Sequence, residues 1–387
     1  MSNCKKYLSD RYQSIQESAF SGARDEDTWE DAINFCIGDP DIRTHETIIQ
    51  GAYEDSMAGM TNYTDPQGML EVRQEVCNFY KEEYDVEIDP SEVLMTTSAC
   101  EAFCLVLEAV LNDGDEVLIP SPFFGVYEDQ VVLSRGVPVY IPTTFEENFE
   151  LSPEKLEEYI TDKTKVLVLN TPNNPTGACL SIDKMKTLFD IAEKHDLLIL
   201  ADDIYTIYSF GEEFVPIMTL EKARERVITV NSFSKDFVMT GWRIGNVIAN
   251  KEFIDVMCHI NNSIIFSAPT VSQRAALHAL RNRHDIQPAL VKEFKDRMFY
   301  AYERLKKLKG VELEEPRGTF YLFPNVEGTG LPSEEVVRKM AEEAHVLVLD
   351  GKNFGPGGDG HLRLAVTLGI DKMKEAFDRL EKMDIFK

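Results

Sequence analysis

The sequence predicts an α/β fold in which a mostly parallel sheet lies between layers of helices, followed by a smaller α+β region. Between about residues 90 and 250, short apolar runs rich in Val, Ile and Leu alternate with amphipathic stretches. Runs of about 4 to 6 apolar residues without polar alternation are typical of parallel strands buried on both faces. The 387 residues are enough for two regions with separate cores.

The predicted strands are six apolar runs in the middle of the chain. In chain order they read VLMTT, EVLIP, KVLVLN, LLILA, VITVN and IGNVIA. Between them, EAFCLVLEAVL and SIDKMKTLFDIAEKH are predicted helices, and Ser181 is placed to cap the second. These crossovers have the length that a parallel sheet requires.

The pattern changes after about residue 285. Long charged helices, VKEFKDRMFYAYERLKKL and PSEEVVRKMAEEA, are separated there by the strand-like FYLF, VLVLD and HLRLAV. We expect the N-terminal segment INFCIGDPD to complete this smaller region. The predicted division is an N-terminal arm with part of the small domain at 1–45, a large domain at 46–285 and a small C-terminal domain at 286–387.

The composition excludes several classes of function. Forty basic and 67 acidic side chains give a net charge of -27, which disfavours binding to nucleic acids or anionic membranes. No apolar stretch has the length of a signal segment or a membrane-spanning helix, so we expect a soluble cytoplasmic protein. The seven cysteines have no paired spacing, so we expect free thiols and no metal site.

Polar residues follow five of the predicted strands. The carboxyl ends of parallel strands meet at one edge of a sheet, where ligands of such folds bind. The segments after the strands are Ser98-Ala99-Cys100-Glu101, Ser121-Pro122-Phe123-Phe124, Thr171-Pro172-Asn173-Asn174-Pro175-Thr176-Gly177, Asp202-Asp203-Ile204-Tyr205 and Ser232-Phe233-Ser234-Lys235. The sequence therefore predicts a binding site at this edge.

Several of these residues also have ordinary structural explanations. A single lysine is usually exposed, but Lys235 lies between a buried strand and an apolar run, where a lysine loses its proton more readily and becomes a nucleophile. Asp202 is compatible with a capping role, and Asp203 beside it points the opposite way on an extended chain. Tyr205 is compatible with core packing, and the proline- and asparagine-rich segment at 171–177 with a simple turn.

Two nucleotide-binding motifs are excluded. Gly355 to Gly360 formally fits G-x-G-x-x-G, but the segment precedes a predicted strand, whereas a dinucleotide fingerprint opens a helix. The sequence contains no phosphate-loop motif. We therefore interpret the glycine-rich segment as a turn.

Taken in order, the polar segments resemble the class I/II aminotransferases, which are fold-type I pyridoxal-phosphate-dependent enzymes. The resemblance runs from Gly38 to Arg363 and rests on Ser-Phe-Ser-Lys, which seven intervening residues separate from Arg243, with Asn-Asn-Pro-Thr-Gly and Asp-Asp-Ile-Tyr upstream. It implies a large domain with a seven-stranded sheet, pyridoxal 5'-phosphate (PLP) as cofactor and a homodimer.

The resemblance also assigns roles around the cofactor. Lys235 matches the Schiff-base lysine that also moves the substrate proton, and Asp202 matches the acid that faces the pyridine nitrogen. Tyr205 and Asn174 match donors to the ring's phenolic oxygen. The remaining cofactor-binding matches are Ser232, Ser234 and Arg243 beside the phosphate, Ser98, Ala99 and Cys100 in a turn offering backbone N–H groups, and Phe124 stacked on the ring.

Substrate and subunit contacts follow from the same resemblance. Arg363 matches the arginine that binds the substrate α-carboxylate, assisted by Asn174. Gly38 matches the small residue that lets the N-terminal strand pass close to the substrate. Tyr63 matches a tyrosine that reaches the phosphate of the neighbouring subunit.

The implied activity is the transfer of an α-amino group from an L-amino acid to a 2-oxo acid, with 2-oxoglutarate as the expected acceptor and a ping-pong mechanism. The expected donors are aspartate, aromatic or a broader range of amino acids. Ser98 stands where the family often has Gly, Phe124 where it often has Tyr or Trp, and Asp203 where it often has Glu. Cys100 stands where some aspartate-specific relatives have a lysine for the distal carboxylate.

Two alternatives remain open from the sequence. A carbon–sulfur β-lyase or an aminocyclopropane-carboxylate-synthase-like enzyme would use the same lysine, ring acid and carboxylate arginine. A non-catalytic PLP-binding regulator would carry a basic winged-helix segment ahead of this fold. The pattern of the large domain begins too early here for such a segment.

Overall fold

The computed structural model describes residues 4–7, 9 and 29–387. Its strands are β1 (Ile33–Asn34), β2 (Val93–Thr96), β3 (Glu116–Ser121), β4 (Val137–Pro142), β5 (Thr164–Asn170), β6 (Leu198–Asp202), β7 (Val227–Ser232), β8 (Gly245–Ile248), β9 (Tyr321–Leu322), β10 (Val346–Leu347), β11 (Leu349–Asp350) and β12 (Leu362–Ala365). Its helices are α1 (Glu46–Met57), α2 (Leu70–Tyr84), α3 (Ser98–Val110), α4 (Val126–Leu133), α5 (Pro153–Tyr159), α6 (Ile182–Lys194), α7 (Phe233–Asp236), α8 (Lys251–Ile264), α9 (Thr270–Arg281), α10 (Arg283–Leu305), α11 (Ser333–Ala344) and α12 (Ile370–Leu380).

The central sheet has seven strands in the order β2-β8-β7-β6-β5-β3-β4. Strand β8 is antiparallel to both of its neighbours, and the other adjacent pairs are parallel. All six predicted strands belong to this sheet. The predicted α/β fold with a mostly parallel sheet is confirmed.

The seventh strand, β4, lies at one edge of the sheet and was missing from the strand prediction. Its sequence, VPVYIP, contains Pro138 and Pro142. Proline has no backbone N–H to donate to a neighbouring strand, so prolines within an apolar run argue against a central strand. An edge strand pairs on one side only, and β4 pairs with β3 alone.

Helices cover both faces of the sheet. Alternate residues of each strand point to opposite faces, so Val117 and Ile119 pack in one cluster with α3, α4 and α8, while Leu118 packs in another with α2, α6 and α9. The N-cap predicted for α6 is present, because the hydroxyl of Ser181 accepts a hydrogen bond from the backbone N–H of Lys184 at 3.3 Å.

The C-terminal part forms a separate apolar cluster around α10, α11 and α12. Strand β1 lies in the INFCIGDPD segment and pairs in parallel with β10, while β11, β12 and β9 form a small antiparallel sheet. Helix α10 crosses the predicted boundary at 285/286, and most of the predicted arm before residue 29 lies outside the described residues. The domain boundaries remain a prediction.

None of the helices formed by the described residues is both long enough and apolar enough to cross a lipid bilayer.

Candidate active site

A cavity of about 420 Å³ lies at the carboxyl edge of the parallel strands. Segments that follow β2, β3, β5, β6 and β7 meet there, as the topology requires. The cavity is lined by thirteen of the predicted site residues, namely Gly38, Ser98, Ala99, Cys100, Phe124, Asn174, Asp202, Tyr205, Ser232, Ser234, Lys235, Arg243 and Arg363. Tyr63 does not line it.

Asp202 is the last residue of β6 and one of two acidic residues that line the cavity. Its Oδ2 accepts a hydrogen bond from the hydroxyl of Tyr127, and its Oδ1 is buried without a hydrogen-bond partner among the described residues. Burial raises the pKa of Asp202 to about 7, although the bond from Tyr127 opposes that rise. A cationic donor in the cavity would satisfy Oδ1 and return the carboxyl to its ionised form.

The choice between Asp202 and Asp203 is decided by the alternation of the extended chain. Asp203 is also buried, but it is not among the residues that line the cavity. Burial raises the pKa of Asp203 well above its usual value, and the charges of Asp202 and Asp236 raise it further. Only Asp202 is therefore placed to contact a ligand in the cavity.

Lys235 lies in the four-residue helix α7, directly after β7. Its Nζ donates a hydrogen bond to the backbone oxygen of Gly38 at 2.6 Å, and its own backbone oxygen accepts one from the hydroxyl of Tyr208 at 3.2 Å. The amine therefore projects into the cavity towards the N-terminal segment. The amine meets Asp202 and Tyr205 around the same space.

One end of the cavity is built to bind an anion. The hydroxyls of Ser232 and Ser234 are 2.9 Å apart, and Arg243 is exposed at the mouth. Ser98 begins the 13-residue helix α3, whose first backbone N–H groups have no partner within the helix. The φ of Ser98 is 76°, a conformation that glycine adopts at less cost, which accounts for glycine being common there in the resembling family.

Arg363, on β12, contributes a buried guanidinium to the lining of the cavity. It is 1% exposed, and its Nη1 lies 3.5 Å from Oδ1 of Asn174. Its Nη2 donates to the backbone oxygen of Cys36, and its guanidinium lies 4.7 Å from the ring centre of Tyr321. These contacts hold the planar donor group in a fixed orientation, which suits recognition of a carboxylate.

Tyr205 lines the cavity beside Tyr321. Its hydroxyl donates to the hydroxyl of Tyr321 at 3.2 Å, and burial raises its pKa well above the usual value, so the phenol stays protonated. Gly38 passes directly over Tyr321, where an added Cβ would clash with the Tyr321 hydroxyl. A residue without a side chain is therefore required at position 38.

Tyr63 lies away from the cavity on the surface of this subunit. Its side chain is 86% exposed, and its ring packs edge-to-face on Phe266 with ring centres 5.1 Å apart. Its predicted role requires a second subunit.

Three further residues of the site were not predicted. Tyr127 binds Asp202, Tyr321 binds Tyr205, and Asn170 donates to the backbone oxygen of Asp202 at 3.1 Å while accepting from the backbone N–H of Asn174 at 2.9 Å. Asn170 is the last residue of β5, so its position at the strand end was the available signal. Tyr127 lies beside apolar residues of the short helix α4 and Tyr321 in the apolar strand β9, and no sequence feature separates either tyrosine from a residue of the core.

This arrangement combines an amine nucleophile, a buried carboxyl and two guanidinium groups around one cavity. The basic residues lining the cavity are Lys235, Arg243 and Arg363, which concentrate positive charge on a strongly acidic protein. The fold and the site thus define an enzyme that binds a small anionic molecule and performs amine chemistry on it.

Comparisons with known proteins identify the family. The model for class I and II aminotransferases matches residues 30–380. Aromatic-amino-acid aminotransferase 2 of Thermococcus litoralis is 37% identical over 381 residues, which are 97% of this chain and 98% of that protein. An aspartate aminotransferase of Pyrococcus horikoshii is 37% identical over 355 residues, which are 91% of this chain and 90% of that protein.

Solved structures agree with the sequence relatives. The aromatic aminotransferase from Pyrococcus horikoshii matches with a TM-score of 0.89 at 36% identity, covering 92% of this chain and 96% of that one. Aspartate aminotransferase from Thermus thermophilus with maleate matches with a TM-score of 0.91 at 30% identity, covering 96% and 98%. The chain therefore belongs to the class I and II aminotransferase family and is an aminotransferase.

Proposed function

We propose that the chain is a PLP-dependent aminotransferase that moves the α-amino group of an L-amino acid to a 2-oxo acid. The observation that carries the cofactor assignment is the buried, unpaired Oδ1 of Asp202, in a cavity that also contains the amine of Lys235. A protonated pyridine nitrogen is a donor that would satisfy this oxygen. When bound, PLP supplies an aldehyde that condenses with amines and a ring that accepts electrons from the substrate Cα.

Residues of the chain have separate roles in cofactor binding and proton transfer. Asp202 would hold a proton on the ring nitrogen, and Tyr205, whose phenol stays protonated because it is buried, would donate its hydrogen bond to the phenolic oxygen of the ring instead of to Tyr321. Ser232, Ser234 and Arg243 hold the phosphate at the anion-binding end. Lys235 anchors the cofactor and, as a free base, moves a proton from the substrate Cα.

Arg363 binds the substrate α-carboxylate as a planar two-pronged donor, and Asn174 assists from 3.5 Å. Lys235 lines the same cavity, so a substrate held by Arg363 would have its amine within the space that Lys235 enters. Two half-reactions at this site give ping-pong transfer, with 2-oxoglutarate as the proposed acceptor.

The charges that line the cavity bear on which amino acid serves as the amino donor. One relative acts on aromatic amino acids and others on aspartate, according to their names. Lys235, Arg243 and Arg363 are the basic side chains that this chain contributes to the cavity, and each already has a role. Cys100 and Gln130 line it without a charge. We propose a broad or aromatic preference, with any distal carboxylate bound by a residue of another subunit.

We also propose a homodimer. Large apolar side chains are exposed on α1, on the segment that follows it, at the start of α2 and around the end of α8, namely Tyr53, Met57, Met60, Tyr63, Leu70, Ile264 and Phe266. These segments contact one another, because Tyr63 packs on Phe266 and the hydroxyl of Thr270 donates to the backbone oxygen of Asn62 at 2.6 Å. An apolar surface of this kind marks an interface, and Tyr63 at its edge would reach the neighbouring cavity.

The decisive experiment is borohydride reduction of the cofactor-supplemented protein, followed by peptide mass spectrometry. We expect a pyridoxyl adduct on Lys235. Labelling of a different lysine, or none, would contradict the proposal.

A panel of amino donors with 2-oxoglutarate then identifies the substrate from the rate of glutamate formation. Release of pyruvate and ammonia from cystathionine without an oxo-acid acceptor would instead favour the β-lyase alternative.

A further inference from the structure

A second polar cavity lies on the side of the central sheet that packs against α2 and α9. Its volume is about 20 Å³. The apolar part of its lining includes Phe79, Phe233 and Leu280, which belong to the core cluster on that face. The polar residues in its wall are Tyr80, Asn231, Ser232, Asp236, Asn246 and Gln287. We call this space the rear cavity.

Three side chains of the rear cavity carry polar atoms without a hydrogen-bond partner among the described residues. They are Oδ1 of Asp236, Oδ1 of Asn246 and Nε2 of Gln287. Asp236 and Asn246 are 3% and 4% exposed. A buried polar atom without a partner costs about 1–3 kcal/mol, so three of them around one space indicate a ligand that satisfies them together.

The numbers of donors and acceptors match one water molecule. Water has two donor and two acceptor sites, so it can donate to Asn246, accept from Gln287 and bond to Asp236 whether or not that carboxyl is protonated. A water requires about 10–15 Å³ and 2–4 polar partners, both of which the rear cavity supplies. A metal cation would be repelled by the N–H group of Gln287.

The rear cavity is connected to Lys235 through the short helix α7. Asp236 follows Lys235 directly, and its Oδ2 accepts a hydrogen bond from the hydroxyl of Thr206. Thr206 in turn follows Tyr205 of the active site. This bond therefore ties the helix that carries the lysine to the turn that carries the tyrosine, on the side away from the cofactor cavity.

We propose that Asp236, Asn246 and Gln287 bind one structural water molecule, and that this water and Thr206 make Asp236 a positioning residue for Lys235. The inference rests on the proposed role of Lys235. Asn246 belongs to β8 and Gln287 to α10, so the water joins α7 to the sheet and to the first helix of the C-terminal part. Lys235 then has a fixed backbone while its side chain changes partners during the reaction.

The first test is a high-resolution crystal structure of the holoenzyme. We expect an ordered water about 2.6–3.2 Å from all three atoms. A site without density, or a peak at the distances of about 2.3–2.6 Å typical of a hard cation such as calcium, would overturn the water assignment.

The second test compares Thr206→Val with Thr229→Val. Both threonines are buried, Thr206 in the turn after β6 and Thr229 in β7, and the hydroxyl of Thr229 donates a weak hydrogen bond to the sulfur of Met218 at 3.9 Å. We expect Thr206→Val to lower kcat about threefold to tenfold with little change in KM, since small displacements of a catalytic group slow chemistry. Thr229→Val should leave kcat unchanged.

Borohydride labelling distinguishes failure of the positioning role of Asp236 from failure of the cofactor assignment to Lys235. Labelling of Lys235 in Thr206→Val together with a reduced kcat supports the positioning role. Equal kcat in the two valine variants would overturn it while leaving the cofactor assignment intact. Failure of labelling in the unsubstituted protein would instead contradict the proposed function itself.

Discussion

At the ends of β6 and β7, carboxyl groups lie on both sides of the sheet, but only one of the two sides faces the large cavity. Asp202 and Lys235 face a cavity of about 420 Å³, whereas the next residues, Asp203 and Asp236, face the interior on the other side. Burial raises the pKa of all three carboxyl groups above the ordinary value. A perturbed carboxyl therefore does not by itself mark the catalytic group, and access to a ligand separates the two sides.

Lys235→Ala is the most severe test of the side that faces the cavity of about 420 Å³. The substitution removes both the cofactor anchor and the base, so we expect transamination to fall by on the order of 10⁴-fold or more while some PLP still binds without a covalent bond. Stopped-flow absorbance with a saturating donor measures the loss. Turnover close to that of the unsubstituted protein would remove Lys235 from its proposed role.

Asp202→Asn and Asp203→Asn compare the two carboxyls directly. Losing one partner of a buried ion pair costs about 3–5 kcal/mol, so we expect Asp202→Asn to lower kcat about 10²- to 10⁴-fold. Asp203→Asn should change kcat less than about threefold, since the side chain does not line the cavity. Steady-state measurement of kcat for the two variants tests this difference. Equal losses of kcat would contradict the assignment of Asp202, and not Asp203, to the active site.

Arg363→Lys sharpens the description of the substrate end. Lysine keeps the charge but cannot donate two parallel hydrogen bonds, and a hydrogen bond to a charged group is worth about 1.5–3 kcal/mol. We expect kcat/KM to fall about 10- to 100-fold for every donor, whatever its side chain. A loss confined to dicarboxylic donors would mean that Arg363 binds the distal carboxylate instead.

Asp236→Asn tests the rear cavity through the pH dependence of the unfolding free energy. Burial raises the pKa of Asp236 from its ordinary 3.8 to about 8, although the bond from Thr206 opposes the rise, so the folded protein favours the protonated form. The resulting stabilisation is complete below about pH 3.8 and is lost as the pH rises through about 8. The variant should show a flatter decline of the unfolding free energy between about pH 4 and 8.

Urea unfolding of the cofactor-free protein at several pH values measures this slope. Asp162→Asn, at an exposed position, is the matched control and should leave the slope unchanged. A slope for Asp236→Asn that equals the control would show that Asp236 does not titrate in this range.

Much of the architecture could be predicted because buried parallel strands leave a strong pattern of short apolar runs. The site residues could be gathered for the same reason, since the ends of such strands meet at one edge. The pattern of residues alone left open which of Asp202 and Asp203 faces the cavity, because the pleat of the folded strand decides which side chain points to which side. The partners Tyr127 and Tyr321 come from elements whose packing against the strand ends is not encoded in any local spacing.

The rear cavity could not be predicted for a related reason. Asp236, Asn246 and Gln287 come from three elements that are distant along the chain, and each of these residues is unremarkable in its own segment. Their joint effect depends on which polar atoms remain without partners after the core has packed.

The prolines of β4 have a consequence beyond strand prediction. An exposed sheet edge with regular N–H and C=O groups recruits strands from other molecules, which leads to aggregation during folding. Pro138 and Pro142 remove two of the donors that such a contact would need along Val137–Pro142. This margin of the sheet is thereby protected against edge-to-edge association between newly made chains.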